Sequence, residues 1–185
     1  MSRSTSLLIL LGYNGTGKST LLKKLIEAEA KKGGKALIVT PDDIEWPEYQ
    51  WMNPKQPSDF NYKGIRKCIY EDSSTMEDIS KNFRDGIVAL DDCRSYLNAN
   101  TDQEVHRFLI RRRQMQADII AVGHGFTEVP PKFFTFANYF ILFNTQDDIS
   151  ERKKVMREYD RMVAAQNRIN SKSKDDFHYY EIIKR

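Results

Sequence analysis

A glycine-rich segment near the start of the chain restricts the possible folds more than any other feature of the sequence. The apolar residues 7–11 run directly into the pattern G-x-x-x-x-G-K-S, which begins at Gly12 and ends at Ser19. Glycines at 12, 15 and 17 accept positive φ angles and carry no side chain, so successive backbone N–H groups converge on one point. An apolar strand before the pattern and a helix after it form the context of a phosphate-binding P-loop.

The residue types of this loop fit the chemistry of a bound triphosphate. A helix beginning near Lys18 directs its N-terminal dipole and its free N–H groups at a phosphate. The Lys18 ammonium reaches the β- and γ-phosphates, and the Ser19 hydroxyl is placed to hold Mg²⁺. We therefore expect ATP and Mg²⁺ as cofactors, although the loop does not distinguish ATP from GTP. The predicted binding residues are Gly12, Asn14, Gly15, Thr16, Gly17, Lys18, Ser19 and Thr20.

Length and composition favour one domain over residues 1–185. Of the 185 residues, 40% are hydrophobic and 30% are charged, and the formal net charge of +3 permits nucleic-acid binding without requiring it. No apolar run approaches the length of a membrane span. Cys68 and Cys93 form no metal-binding or disulfide pattern, which favours a reducing compartment, so we expect a cytoplasmic protein.

Strand and helix patterns alternate along the chain. This alternation predicts an α/β fold of the P-loop NTPase class, with a mostly parallel central sheet and helices on both faces. The predicted strands are 7–11, 35–40, 65–70, 86–92, 118–124, 138–143 and 177–183. The predicted helices are 18–32, 74–83, 101–115 and one from 147 or 150 to about 170, with an irregular segment at 42–63.

A second strand supplies the acids that a P-loop enzyme needs. Residues 86–90 are apolar and end at Asp91 and Asp92, as in a Walker B element. Asp91 is predicted to bind Mg²⁺ through water, and Asp92 to orient or activate the attacking water. His124 ends another strand, where it either hydrogen-bonds the γ-phosphate or the attacking water, or is a surface histidine in a turn. Ligands of such sheets bind at the carboxyl ends of strands, where Gly12, Asp91 and His124 all fall.

Two basic segments have both a structural and a functional interpretation. Arg111, Arg112 and Arg113 end a helix, where cations are favourable for local reasons, but one of them could also act as an arginine finger in a neighbouring subunit. Aromatic and basic residues interleave between 42 and 67, a mixture that either stacks nucleic-acid bases or, as we favour, packs a loop onto the domain. The basic run 152–154 is expected on a solvated helix face.

The order of these elements resembles the FtsK–HerA superfamily of DNA-translocating and genome-packaging ATPases, most closely its zonula-occludens-toxin-like and small viral packaging members. The resemblance rests on the turn at 40–43, the run from 66 to 92, and the spacing of eleven positions from Arg113 to His124. It also rests on the prolines at 130–131 and the apolar run 137–143 that follows them. It implies a homohexameric ring with ATP between subunits, DNA or a DNA–protein complex as cargo, and Arg113 as the finger. This chain has His124 where the family usually has glutamine, and Asp92 where it usually has glutamate. Both departures affect hydrolysis more than nucleotide binding.

Lys18, Asp92, Arg113 and His124 are thus the predicted catalytic residues of a motor ATPase. The same residues are also consistent with two other functions. One is a small-molecule P-loop kinase, with Arg111, Arg112 and Arg113 as a lid that closes over phosphate. The other is a nucleotide-gated assembly factor that hydrolyses slowly.

Overall fold

Eight strands and five α-helices, with short 3₁₀ turns, make up the secondary structure of residues 4–97 and 102–185, which the computed structural model describes. The strands are β1 (Leu7–Leu11), β2 (Lys35–Thr40), β3 (Gln50–Trp51), β4 (Gly64–Ile69), β5 (Gly86–Leu90), β6 (Ala117–Gly123), β7 (Tyr139–Phe143) and β8 (Tyr180–Lys184). The helices are α1 (Lys18–Lys31), α2 (Ser73–Asn82), α3 (Asp102–Met115), α4 (Pro131–Phe136) and α5 (Tyr159–Lys172). Thr101, the predicted start of a helix, lies outside the described residues.

All eight strands join one sheet of order β3-β4-β2-β5-β6-β1-β7-β8. Strand β8 is antiparallel to β7, and every other pair is parallel. The predicted α/β fold with a mostly parallel sheet is confirmed. The two-residue strand β3 and the short helix α4 were not predicted, because neither is long enough to show a hydrophobic period.

Helices cover both faces of the sheet, as predicted, but unequally. Successive side chains of a strand point to opposite faces. In β1, Ile9 belongs to the core that includes α2, α3, α4 and α5, whereas Leu10 belongs to the core that α1 covers. Leu22 and Ile26 of α1 are fully buried in this second core. Burial on both faces explains why β1 is a continuous apolar run rather than an alternating one.

The long helix expected from 147 or 150 is wrong in its first half. Ile149–Arg152 forms a 3₁₀ turn, and α5 begins only at Tyr159. The guanidinium of Arg152 donates to the carbonyl oxygens of Thr127 and Val129 and lies over an aromatic ring of α4. These tertiary contacts hold Arg152 half-buried against the domain, so it is not part of a solvated helix face as expected.

The segment 42–63 packs onto the sheet, which confirms the structural interpretation of its aromatic residues. It contains β3 and a 3₁₀ turn, Pro57–Phe60. Trp46 and Phe60 are buried, and the hydroxyl of Tyr62 donates to a carbonyl oxygen of β2. The segment has five aromatic side chains, and Trp51, at 48% exposure, is the main exception to this packing. These rings therefore do not form a continuous platform for nucleic-acid bases.

Two helices differ in detail from the prediction. Helix α2 begins at Ser73, one residue before the predicted start, and its cap is Asp72, whose carboxylate accepts from the backbone N–H of Ser74 at 2.7 Å. Helix α1 ends at Lys31, one residue before the predicted end. None of the helices within the described residues is long and apolar enough to cross a membrane.

Parallel pairing brings three functional segments to one edge of the sheet. Strand β6 lies between β1 and β5, and its register pairs Gly123 with Leu11 and Ala121 with Leu90. The P-loop follows β1, the two aspartates follow β5, and His124 follows β6. Since these strands run in the same direction, the three segments meet at their carboxyl ends.

Candidate active site

The glycine-rich loop has the backbone that the sequence predicts. Gly12, Gly15 and Gly17 have φ angles of 154°, 78° and 101°. A Cβ atom added at Gly12 would lie 2.5 Å from Cβ of Phe143, so only glycine fits there. Gly17 is the N-cap of α1, and Lys18 is its first helical residue. The unpaired N–H groups of the first helical turn therefore adjoin the loop and form an anion site with it.

Lys18 is held at the centre of this edge. Lys18 is buried, with 6% exposure. Its Nζ donates to the carbonyl oxygen of Gly12 and, at 2.9 Å, to that of Tyr13. Nζ also lies 3.3 Å from Nδ1 of His124. Burial lowers the pKa of Lys18, and three nearby carboxylates, of which Asp91 has the largest effect, act in the opposite direction. The ammonium is thus positioned where negative charge from a ligand compensates its burial.

An indole group orients Asp91. Nε1 of Trp46 donates to Oδ2 of Asp91 at 2.7 Å. Trp46 itself is 8% exposed and has a positive φ of 55°. The loop around it is fixed by the Lys67 ammonium, which donates to the carbonyl oxygens of Asp43 at 2.7 Å and Glu45 at 2.6 Å. Burial raises the pKa of Asp91, and the hydrogen bond from Trp46 acts against this rise.

Asp92 and His124 face each other across the same edge. Asp92 has a φ of 44° at the end of β5, in a left-handed conformation that aspartate tolerates better than most residues. Its Oδ1 lies 3.8 Å from Nε2 of His124, and its Oδ2 accepts from the hydroxyl of Ser95. Because the Lys18 ammonium only donates, Nδ1 of His124 accepts, which leaves the proton on the nitrogen that faces Asp92.

Glu128 and Arg94 extend this network, and the sequence analysis missed both. Oε2 of Glu128 accepts from the backbone N–H of His124 at 2.8 Å, and Oε1 pairs with the Arg94 guanidinium at 2.8 Å. The Arg94 side chain is 68% exposed, whereas that of Glu128 is 17% exposed. Glu128 therefore fixes the backbone of the turn that carries His124. A glutamate four residues after the histidine is the signal that could have pointed to it.

Lys18, Asp91, Asp92 and His124 line a cleft of about 610 Å³. The predicted residues within it come from the P-loop, from the end of β5 and from the end of β6. They are Asn14, Gly15, Gly17, Lys18, Ser19, Thr20, Asp91, Asp92 and His124. Gly12 and Thr16 are buried beneath the loop. The hydroxyl of Thr16 donates to the carbonyl oxygen of Tyr13 at 2.8 Å, so Thr16 supports the loop from below.

Arg113 does not lie in this cleft. Helix α3 ends at Met115, directly before β6 begins, so Arg113 is an exposed residue at the amino edge of the sheet. The seven residues of β6 place it about 20 Å from His124. Arg112 is buried over the ring of Phe136, with 6.0 Å from its guanidinium carbon to the ring centroid. A lid formed by these arginines over the chain's own phosphate site, as the kinase hypothesis requires, is wrong.

Two further residues of the site escaped the sequence analysis. Trp46 is one of several aromatic residues between 42 and 67, and no sequence pattern indicates that its indole contacts Asp91. His178 lines the cleft, and its Nδ1 lies 3.2 Å from the carbonyl oxygen of Thr16. It comes from the turn before β8, far from the P-loop in sequence. No local pattern marks a contact of this kind.

The donor set of the cleft fits Mg²⁺. The Ser19 hydroxyl is exposed in the first turn of α1, and the Asp91 carboxylate lines the same cleft. Mg²⁺ prefers oxygen ligands, keeps several waters, and is commonly held by one or two protein groups together with substrate phosphates. Within the described residues, no cluster of three or more histidine, cysteine or acidic side chains offers a metal cage of another kind.

Solved structures with a similar fold include two viral genome-packaging proteins and VirB4. The genome-packaging NTPase B204 from Sulfolobus turreted icosahedral virus 2, in complex with AMP, superimposes with a TM-score of 0.68 at 15% identity, over 97% of this chain and 92% of that chain. B204, the DNA-packaging ATPase from Sulfolobus turreted icosahedral virus, gives a TM-score of 0.69 at 15% identity, over 100% and 94%.

VirB4 of Thermoanaerobacter pseudethanolicus gives a TM-score of 0.60 at 10% identity, over 88% of this chain and 85% of that chain. The chain therefore has the P-loop NTPase fold that these structures share. The resemblance inferred from the sequence is thereby confirmed for the architecture. No protein-family model matches the sequence, and no curated protein sequence matches it.

Proposed function

We propose that the protein hydrolyses ATP with Mg²⁺ and uses the energy to translocate DNA, as a genome-packaging motor does. The observation that carries the proposal is the convergence of Lys18, Asp91, Asp92 and His124 on one cleft beside the P-loop. Similarity in fold to B204, a DNA-packaging ATPase, supports the choice of DNA as cargo. The complex of the related genome-packaging NTPase with AMP supports a nucleotide as the ligand of the cleft.

Each residue of the cleft has a separate role in phosphoryl transfer. The P-loop amides and Lys18 bind the β- and γ-phosphates. The Ser19 hydroxyl and the Asp91 carboxylate would hold Mg²⁺, which neutralises charge on the phosphates when bound. Asp92 accepts a hydrogen bond from the attacking water, and the Nε2–H group of His124 donates to the water or to a γ-phosphate oxygen. Hydrolysis then depends mainly on positioning and on charge, as in related phosphoryl transfers.

The same proposal includes assembly into a ring, which the family resemblance gives as a homohexamer. Lys18 supplies positive charge from within the subunit, but Arg113 is about 20 Å from its own cleft. An exposed guanidinium at the amino edge reaches ATP only from a neighbouring subunit. We therefore assign Arg113 as a finger that acts in trans on the γ-phosphate.

A slow, nucleotide-gated assembly factor is the alternative that the same cleft supports. Asp92 is one methylene shorter than the glutamate usual at this position, so its carboxylate stands farther from a water at the γ-phosphate. Such a protein would bind ATP with the same residues but would show no acceleration by DNA.

The test is phosphate release from ATP with Mg²⁺, measured with and without double-stranded DNA. We expect turnover that DNA accelerates. Lys18→Ala is expected to abolish both ATP binding and turnover, because no neighbouring side chain replaces its charge against the phosphates. Lys24→Ala is the matched control, since Lys24 is an exposed lysine of the same helix.

Near-normal ATP affinity and turnover in Lys18→Ala, with an unchanged melting temperature, would contradict the proposal. Turnover without any response to DNA would favour the assembly factor. Transfer of radioactive phosphate from ATP to a small molecule, with little release into water, would identify a kinase instead.

A further inference from the structure

An exposed aromatic ring lies next to the P-loop on the side away from the catalytic acids. Phe177 is 48% exposed, which is unusual for a phenylalanine beside a polar cleft. Its Cε1 lies 3.7 Å from the position that a Cβ atom would take at Gly15. The ring therefore borders the turn of the phosphate loop, although the sequence places it more than 160 residues away.

The sheet order gives the P-loop two different sides. Strand β1, which leads into the loop, has β6 on one side and β7 on the other. The β6 side carries His124 and, beyond it, Asp91 and Asp92. The β7 side carries Phe143 and, beyond it, the turn before β8 with Phe177. In the proposed function the terminal phosphate faces the acids and His124, so the opposite end of the nucleotide would extend towards β7 and β8.

The rim beyond the acids is a poor place for a nucleobase. There the cleft is bounded by Pro41, Asp42 and Glu45. The aromatic ring of that loop belongs to Trp46, which is buried and donates its hydrogen bond to Asp91. Carboxylates and a proline offer no flat apolar surface, so the aromatic side near β8 is the better match for a planar base.

The neighbours of Phe177 hold this side of the loop in place. His178 packs against the ring of Phe177 edge-on, with 5.9 Å between centroids, and its Nδ1 lies 3.2 Å from the carbonyl oxygen of Thr16. Tyr180, the first residue of β8, lies against Phe143 with 4.9 Å between centroids. The turn before β8 is thus fixed both to the P-loop and to the sheet, while the outer part of Phe177 stays accessible.

We propose that Phe177 binds the base of the nucleotide by stacking, with His178 anchoring the turn to the P-loop. The ligand class is a nucleoside triphosphate with its aromatic base on the ring of Phe177. Stacking on an aromatic ring accepts any base and favours purines for their larger surface. The inference rests on the proposed function, since it assumes that the phosphates occupy the P-loop.

The experiment compares two ligands that differ by the nucleoside: ATP and inorganic triphosphate, each titrated calorimetrically with Mg²⁺. Phe177→Ala is expected to weaken ATP binding by roughly tenfold, within the range measured for loss of a stacked base, and to leave triphosphate binding unchanged. Phe177→Tyr retains the ring and is expected to bind both ligands as the parent does. Trp51→Ala is the matched control, because Trp51 is equally exposed, at 48%, and lies on β3 at the far end of the sheet.

The outcomes separate this inference from the function on which it depends. If the parent protein binds neither ATP nor triphosphate, the proposed function fails. If the parent binds both but Phe177→Ala weakens both equally, the residue supports the P-loop and the base site is wrong. An unchanged ATP affinity in Phe177→Ala also overturns the inference, because the base would then lie elsewhere.

Discussion

The carboxyl edge of the sheet gathers charged side chains from separate parts of the chain, whereas the amino edge carries three consecutive arginines at the end of one helix. At the carboxyl edge, Lys18, Asp91 and His124 lie in one cleft. A hydrogen bond from Trp46 orients Asp91, and one from the backbone N–H of His124 to Glu128 fixes the turn that carries His124. At the amino edge, Arg112 is packed over an aromatic ring and Arg113 is exposed. The carboxyl edge thus holds a cleft built from distant segments, whereas the amino edge presents Arg113 on the protein surface.

The two edges show how a strand separates residues that are close in sequence. Arg113 and His124 are eleven positions apart, but β6 runs between them and sets them about 20 Å apart. Lys18 and His124 are 106 positions apart, yet their side-chain nitrogens lie 3.3 Å from each other. Residues of the carboxyl edge are therefore close enough to act together within one subunit, whereas Arg113 would reach a nucleotide only in a neighbouring subunit.

The largest effect expected from this comparison concerns Arg113. Arg113→Ala is expected to bind ATP as the parent does, because the P-loop and Lys18 are intact. It should lose about 10³- to 10⁵-fold in turnover under conditions where the parent assembles, since a finger supplied in trans contributes that much in related chemistry. Arg111→Ala serves as the control on the same helix. Phosphate release and sizing chromatography are the measurements.

Mixing two inactive variants tests directly whether Arg113 acts in trans. An Arg113→Ala subunit keeps Lys18, and a Lys18→Ala subunit keeps Arg113. In mixed rings, some intact P-loops then receive Arg113 from a neighbour, so part of the activity should return. If the two variants assemble together by sizing and activity stays absent, the amino edge does not face a neighbour's nucleotide.

A smaller effect is expected at His124, on the other side of the comparison. His124→Ala removes a donor to the attacking water or to the γ-phosphate, and we expect a loss of roughly 10- to 100-fold in kcat, the effect of one hydrogen bond to a charged group. ATP affinity should change little. His124→Gln places a donor of similar length there and should restore much of the rate. Equal losses in the alanine and glutamine variants would assign His124 a packing role only.

The smallest effect concerns the indole that orients Asp91. Trp46→Phe is expected to weaken the apparent Mg²⁺ affinity by about tenfold, at the low end for loss of a group that orients a metal ligand. Burial already raises the pKa of Asp91, and the hydrogen bond from Trp46 opposes this rise, so its removal raises the pKa further. As the pH falls, Asp91 is then protonated at a higher pH than in the parent. The acid limb of the kcat/KM profile should therefore shift to higher pH.

Trp51→Phe is the control for this variant, because it removes the exposed indole on β3 and leaves Asp91 untouched. An acid limb that shifts equally in both variants, or in neither, would show that the Trp46 hydrogen bond does not govern the ionisation of Asp91. Asp91→Asn sets the upper limit of the effect, since it removes the charge itself.

Much of the fold follows from patterns that the chain shows locally. The P-loop, the strand before it and the helix after it were predicted because glycine, lysine and apolar residues are required there by backbone geometry and phosphate chemistry. The parallel sheet followed from the alternation of strand and helix patterns. The first half of the helix expected from 147 or 150 was wrong, because Arg152 contacts carbonyl oxygens of Thr127 and Val129, which no local pattern reveals.

The sequence by itself determined the positions of the phosphate loop, of the two aspartates after β5 and of His124 after β6. Each of them directly follows an apolar run that the sequence marks as a strand. Only the tertiary structure decided which groups surround them. Trp46 reaches Asp91, and the Phe177–His178 turn reaches the P-loop, through contacts between segments distant in the chain. Such contacts depend on sheet order and strand direction, which side-chain periodicity does not encode.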